Sequence, residues 1–254
     1  YLFSIMTVFI SKETINRLLK DVKDIIKTPL NYEGIYYHHD ESDMLKGYAM
    51  IVGPSDTPYF SGFYFFEFDY PSNYPHSPPK VTYHTNGLNI RFNPNLYKCG
   101  KVCISLLNTW QGEQWSSCQT IRSILLTLCT LLCNDPLMNE PGVYKPKYTP
   151  QIDTYNQIIE YANIEIAICY IVQKQPIIFK SFFDFFYEYI KEHFNKNYVA
   201  LLSFAEKKLL ENKNIPIIIK CNFYNSVKKI DYNELIQELK KTNRSIIIDE
   251  KING

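Results

Sequence analysis

The side chains with reactive potential concentrate in one stretch, RFNPNLYKCGKVCISLLNTWQGEQWSSCQTI, residues 91–121. Cys103 follows Gly100-Lys101-Val102 in a run that has neither helical nor strand periodicity. A thiol on an irregular, partly exposed segment is a candidate nucleophile. Its thiolate attacks acyl carbons, and a thioester product keeps the acyl group activated for a second transfer. The bland alternative is a small buried hydrophobe. Two other thiol chemistries fit less well. A zinc site built from Cys99, Cys103, Cys118, Cys129 and Cys133 has no CxxC pair, and Cys129 and Cys133 fall in a stretch of helical period. A cysteine hydrolase needs a positioned histidine, and His38, His39, His76, His84 and His193 sit in no hydrolase motif.

Composition bounds what surrounds that stretch. The chain has 254 residues, 46% hydrophobic and 21% charged, enough for a packed core and too apolar for bulk disorder. At about 150 residues per domain, this is one full domain with a substantial extension, or two small ones. Lys+Arg is 27 and Asp+Glu 26, a net charge of +1, so neither nucleic acid nor an anionic membrane is an expected partner. No apolar run reaches the ~20 residues of a spanning helix. The opening YLFSIMTVFIS lacks a basic leader and a small-residue cleavage site, so no secretion signal is expected, and Met6 is a candidate start. Seven cysteines, an odd number in a long chain, point to a reducing compartment. The expected location is cytoplasmic, with the nucleus as an alternative.

The elements that must position Cys103 are legible from period and punctuation. Residues 12–29 read as a helix with Ile15, Leu18, Leu19, Val22, Ile25 and Ile26 on one face, Ser11 as its cap and Pro29 as its stop. Extended stretches follow at Gly34–His38, Leu45–Gly53, Gly62–Asp69 and, after the proline-rich YPSNYPHSPP, Lys80–His84. Short links between them predict an antiparallel meander. Residues 85–118 are irregular, the kind of long loop that is usually functional. Helical period returns at 119–133, and Thr149-Pro150 reads as a cap and first position of a helix to about Val172. Beyond Pro176, Ile177–Phe194 is an aromatic-rich helix with Phe182, Phe183, Phe186, Tyr189 and Ile190 inward, and Tyr198–Leu210 a second helix. Ile215–Ile219 reads as a short strand, and Asp231 with Glu234 as the capping box of a last helix through Leu239. The aromatic stripe reads first as core packing, with a partner groove as the alternative.

The order helix, meander, YPHSPPKV, NPN, GKVCISLL, Trp, helix and NEPGVYK resembles the ubiquitin-conjugating enzymes. The resemblance runs from about Ser11 to Val172. It is closest to the large-class members with an FNPN…GKVC active-site segment. It implies an α+β UBC fold: a tail at 1–10, a catalytic domain at 11–172, and a mostly helical extension at 173–254 packed on or next to it. It also implies an acyltransferase of the ubiquitin conjugation pathway, without cofactor or metal. Cys103 would accept ubiquitin from an activating enzyme, which consumes ATP, as a thioester. It would then pass ubiquitin to a lysine or to a ligase cysteine. A non-catalytic ubiquitin-binding scaffold of the same fold, or a conjugating enzyme for a ubiquitin-like modifier, are the alternatives.

The resemblance carries over further residues. Asn95, eight residues before Cys103, matches the family's Asn, whose amide either donates to the developing oxyanion or holds the loop. Asn93 stands where the family usually has a structural His. Glu140, in NEPG, matches an acidic loop position near the incoming lysine, where a carboxylate orients the amine or manages its proton; the alternative is a solvated loop acid. Ser105 replaces a frequent Asp, and the Trp110–Gln114 insertion carries only Glu113, too little for an acidic regulatory loop. Arg17 and Lys20 match basic positions facing the activating enzyme, the alternative being a solvated helix face. His76 and Ser117 match the two loops that touch RING ligases. Both depart from the usual residues, which favours a restricted ligase set or direct recruitment of substrate proteins by the C-terminal extension.

Overall fold

The computed structural model describes residues 10–87 and 90–253, with side chains through residue 248. The expected tail lies outside the described residues except for Ile10. Helix α1 spans Lys12–Lys27 and opens on Ser11, whose hydroxyl accepts from Thr14 N at 3.0 Å. Its buried face is Thr14, Leu18, Asp21 and Ile25, not the apolar stripe expected from sequence. Leu19 and Ile26 face solvent. The physical reason is Asp21: it turns inward because Arg17 Nε (2.9 Å) and the Tyr74 hydroxyl (2.5 Å) both donate to its carboxylate.

Four strands follow: β1 Ile35–His39, β2 Lys46–Val52, β3 Phe63–Asp69 and β4 Lys80–Tyr83. They form one antiparallel sheet in the order β1-β2-β3-β4. Nearly every residue of β2 and β3 is buried or close to it, so both faces of the sheet are covered. Helix α2 spans Ile121–Leu131 and starts with a capping box between Thr120 and Ser123. Helix α3, Thr149–Ala162, continues in wider π-type turns over Asn163–Tyr170. Tyr148, not Thr149, precedes its first turn. Asn163 is buried at the junction, donating to Phe60 O (2.9 Å) and accepting from the Tyr64 hydroxyl (2.6 Å), so a polar residue inside the core is satisfied on both sides.

The extension consists of a 3-10 turn at Ser181–Phe186, α4 Tyr187–Glu211, a hairpin of β5 Ile217–Cys221 and β6 Ser226–Ile230, and α5 Tyr232–Asn253. One 25-residue helix replaces the two expected between 177 and 210, with its start shifted to Tyr187. Strand β6 was not expected at all. The aromatic run is the cover of the sheet's outer face. Phe183 stacks on Phe65 at 3.6 Å, Phe182 on Tyr48 at 4.8 Å, and Phe185 on His38 at 4.0 Å. Tyr36, at the sheet edge, meets the Tyr189 ring at 4.5 Å and bonds its hydroxyl to His193 Nε2 at 2.7 Å. Tyr189, expected inward, is exposed even so. Burial of this size dominates the stability of the arrangement.

Candidate active site

The segment carrying Cys103 hangs on the edge of the sheet. Tyr83 N donates to Gly100 O at 2.7 Å, and Thr82 bridges to Lys101. Gly100 has φ +88°, and a Cβ there would sit 3.0 Å from the Tyr83 carbonyl oxygen, so both turn and close approach require glycine. Further along, Leu96 bridges to Val102, and Cys103 N donates to Asn95 O at 2.9 Å. Thr109 closes the other side. Its hydroxyl accepts from Ile104 N (2.9 Å) and faces the carbonyls of Val102 (2.9 Å) and Ile104 (3.0 Å). The segment is thus fixed by its own backbone from both flanks.

Cys103 is more enclosed than its irregular surroundings suggest. The residue is 3% exposed, and its thiol donates to Thr109 O at 2.9 Å. It is not sealed in the apolar interior. It borders a cleft of about 120 Å³ whose other walls include Asn95, Arg91, Asn139 and Glu140. The hydrogen bond holds the sulfur against the Thr109 carbonyl.

Asn95 has a defined job in this geometry. Its Nδ2 donates to the carbonyl of Cys103 at 2.6 Å. The amide cannot be turned over, because that would bring two oxygens to the same separation. Of the two roles expected from sequence, the observed contact is the loop-holding one. Asn93 is fully buried and ties three segments together. It donates to Leu131 O (2.7 Å) and the Tyr59 hydroxyl (3.1 Å), and accepts from Asn95 N (2.9 Å). Here an Asn does by hydrogen bonding what a structural His would do.

A substitution tests the Asn95 contact. Asn95→Ala leaves the Cys103 carbonyl without its partner, a loss of about 1 kcal/mol that is applied directly to the reactive segment. We expect the melting temperature to fall by about 2–4 °C, read by calorimetry. An unchanged midpoint would mean that this contact does not hold the segment.

Glu140 is not a loop acid surrounded by water. Its Oε2 accepts from the hydroxyl of Tyr224, a residue of the extension. The guanidinium of Arg91 lies between the rings of Tyr97 and Tyr224, 4.0 Å from each centroid. Burial first, and then the Glu140 carboxylate, push the Tyr224 phenol well above its ordinary range, so it remains a donor at neutral pH. Sequence reading missed Thr109, Arg91 and Tyr224. Thr109 and Arg91 lie inside the reactive stretch, but nothing in their types marked them. Tyr224 comes from a hairpin more than 80 residues beyond Glu140.

The expected partner-contact residues divide. Lys20 is exposed on α1, beside Leu19 and Lys23 in a shallow cleft. Arg17 is not an open cation: besides Asp21 it donates to Ser117 O (2.6 Å) and to Gln119 O, tying α1 to the loop before α2. His76 is exposed and 3.1 Å from Glu13. Ser117 is also exposed. Their two loops are joined by Trp115 Nε1, which donates to Pro75 O at 2.7 Å. Ser105 packs against the Trp110–Gln114 insertion at Gly112, where a Cβ would come within 3.1 Å of it. Among the described residues, no group of three or more His, Cys, Asp or Glu is placed to hold a metal ion.

Residues 17–159 match the family model described as ubiquitin-conjugating enzyme. The chain is similar to ubiquitin-conjugating enzyme E2 Z of Xenopus tropicalis, 36% identical over 197 residues, covering 73% of this chain and 62% of that protein. It is similar to the human E2 Z, 39% identical over 183 residues, covering 68% of this chain and 51% of that protein. The chain thus spans between half and two thirds of these relatives' lengths. Among solved structures, the E2 domain of a ubiquitin conjugating enzyme of Toxoplasma gondii aligns with a TM-score of 0.48 at 26% identity, covering 60% of this chain and 98% of that one.

Proposed function

We propose, for a chain that belongs to the ubiquitin-conjugating enzyme family, that Cys103 receives the carboxyl terminus of ubiquitin from an activating enzyme and delivers it to a lysine amine or a ligase cysteine. The observation that carries this reading is the cleft itself, which brings Cys103, Asn95 and Glu140 to one small opening. Other thiols are present, but Cys169 and Cys221 are buried, and burial pushes their sulfurs up, Cys169 to about 12. Neither is suited to supplying a thiolate.

The first step is thioester exchange. The Cys103 thiol gives up its proton, its sulfur attacks the carbonyl carbon of the ubiquitin thioester on the activating enzyme, and that enzyme's thiolate leaves. The hydrogen bond to Thr109 O exists only while Cys103 carries its proton. Once the proton is gone, the carbonyl no longer holds the sulfur, and Cys103 already borders the cleft. In the second step a neutral amine attacks the Cys103 thioester. The C–N bond forms, the C–S bond breaks, and the amine's proton ends on the leaving sulfur. Enclosure favours this step, because desolvation disfavours the charged ammonium. Aminolysis of a thioester runs downhill, so positioning and proton handling are what the site must add.

The test is a mixture of activating enzyme, ubiquitin, ATP and this protein, resolved without reductant. The expected product is a band shifted by one ubiquitin that collapses on addition of thiol. If no such band forms with ubiquitin but one forms with a ubiquitin-like protein and its own activating enzyme, the modifier is the latter. If none forms with either, the enzymatic reading fails.

A further inference from the structure

The hairpin of the extension is built so that its tip meets the candidate active site. Strands β5 and β6 pair from Ile217↔Ile230 to Cys221↔Ser226, which leaves Asn222–Asn225 to make the turn. Tyr224 (φ 61°) and Asn225 (φ 49°) are both left-handed. Asn tolerates that region; a bulky Tyr occupies it only under strain. A turn under no other demand would carry Gly or Asn at both places. The base of the hairpin is anchored. Lys228 pairs with Glu165 in the π-type turns, both side chains largely out of solvent, and Tyr161 donates to Asp231 O at 3.2 Å. Phe223 meets the Tyr148 ring edge-on at 6.1 Å, just ahead of α3. The strained conformation is therefore held from several sides.

That strain aims one side chain. The Tyr224 ring covers Arg91 at 4.0 Å and approaches Tyr155 at 6.1 Å, while its hydroxyl donates to Glu140 Oε2. Arg91 and Glu140 both line the cleft that holds Cys103. A Glu on a loop has several rotamers, and ordering it costs free energy unless something selects one. The phenol makes that selection, and the hydrogen bond is strengthened because its acceptor is charged.

We propose that Tyr224 is a positioning residue for the transfer step: by holding one oxygen of Glu140, it presents the other to the amine that attacks the thioester on Cys103. The extension is thereby part of the site and does more than cover the sheet. This rests on the conjugating reaction proposed above. In the step concerned, the amine nitrogen bonds to the thioester carbon. Glu140 accepts a hydrogen bond from the amine and orients it. The C–S bond breaks, and the amine's proton passes to the departing sulfur.

The test uses the full chain, purified after charging, so that charging rates do not enter. Discharge onto free lysine is followed in a single turnover for the parent, Tyr224→Phe, Glu140→Gln and the double variant. Tyr224→Phe keeps the ring over Arg91 and the backbone of the turn, and its melting temperature is recorded alongside. We expect Tyr224→Phe to slow discharge about tenfold and Glu140→Gln to slow it at least as much. The double variant should match Glu140→Gln within about twofold, because residues acting through one contact are not additive. A parent rate for Tyr224→Phe overturns the proposal. So does an equal loss in both backgrounds, with or without a lowered melting temperature, since that is how a merely structural wall behaves. A parent that never charges defeats the conjugating reaction instead.

Discussion

Cys103→Ala is expected to abolish the thiol-sensitive ubiquitin adduct, and Cys103→Ser to replace it with an adduct that survives reductant. On the proposed reading the sulfur is the atom on which the chemistry turns. Alanine offers no nucleophile. Serine offers an oxygen that holds its proton at neutral pH and has no strong base beside it, so its charging should be slow. The ester it forms is an ordinary oxygen ester, which thiols do not exchange readily and which amines attack poorly. The serine variant should therefore accumulate in its charged form and fail to discharge onto lysine. Serine can also donate to Thr109 O where the thiol does now, so the segment keeps its conformation and the comparison isolates the atom. The rival acceptors are the two exposed thiols, Cys99 and Cys118. Cys99 lies four residues before Cys103 in the turn that Gly100 completes, and Cys118 lies beyond the insertion. A thiol-sensitive band that persists in Cys103→Ala and disappears on further substitution of Cys99 or Cys118 would show that the wrong sulfur has been assigned.

The parts of this fold that were legible in the sequence are those where local pattern and tertiary demand agree. The four strands fall within a residue of their expected bounds because aromatic and β-branched runs are punctuated by GPSDTP and YPHSPP. The α+β class and the meander follow from them. Helix α1 was placed correctly, but its face was misread. Periodicity scores Asp21 as polar and cannot see Arg17 and Tyr74 converging on it. Arg17 was misread for the same reason: a cation on a helix looks available until the loop carbonyls it bonds are in place. The break expected within 177–210 fell among aromatic and polar residues with no helix breaker between them, and the chain runs straight through.

The hairpin was half seen. Ile217–Cys221 has strand character, but SVKKI carries two lysines and reads as surface. The turn between them has neither Gly nor Pro to announce it. Consequently, Tyr224 had no visible connection to Glu140. Cys103, Asn95 and Glu140 were picked out because a family resemblance ranked them, and the structure gathers them about one cleft. Residue types alone would have nominated Cys103 and stopped there. The enclosure of its thiol was not readable either, since it depends on the carbonyl of Thr109, and every residue has a carbonyl.

The second large effect concerns how the extension and the sheet share a core. Phe183→Ala is expected to lower the melting temperature of the whole chain by roughly 6–20 °C. The ring is fully buried and lies parallel to Phe65 at 3.6 Å, with Phe179 and Phe182 edge-on at 5.2 and 4.9 Å. Removing a buried Phe side chain costs about 3–5 kcal/mol, through lost transfer free energy and the cavity left behind. In a chain of this size each kcal/mol moves the midpoint by about 2–4 °C. Backbone rearrangement offers little relief, because the neighbouring rings are pinned from outside: Phe182 is stacked on Tyr48, and Phe179 lies edge-on to Tyr187. Deletion after Val172 carries the same logic further. It removes the cover from Phe65 and Tyr48, and the Thr242 that faces Cys169 from α5. The truncated chain is expected to aggregate or to melt without a cooperative transition. The contrasting possibility, an extension that folds as an independent module, predicts two transitions in calorimetry, with the conjugating domain's midpoint unmoved by either change. One transition that shifts with Phe183→Ala means that the sheet carrying the active-site segment and the hairpin carrying Tyr224 are stabilised by the same core. That linkage is what allows a residue more than 80 positions downstream of Glu140 to hold its place at the reactive cleft.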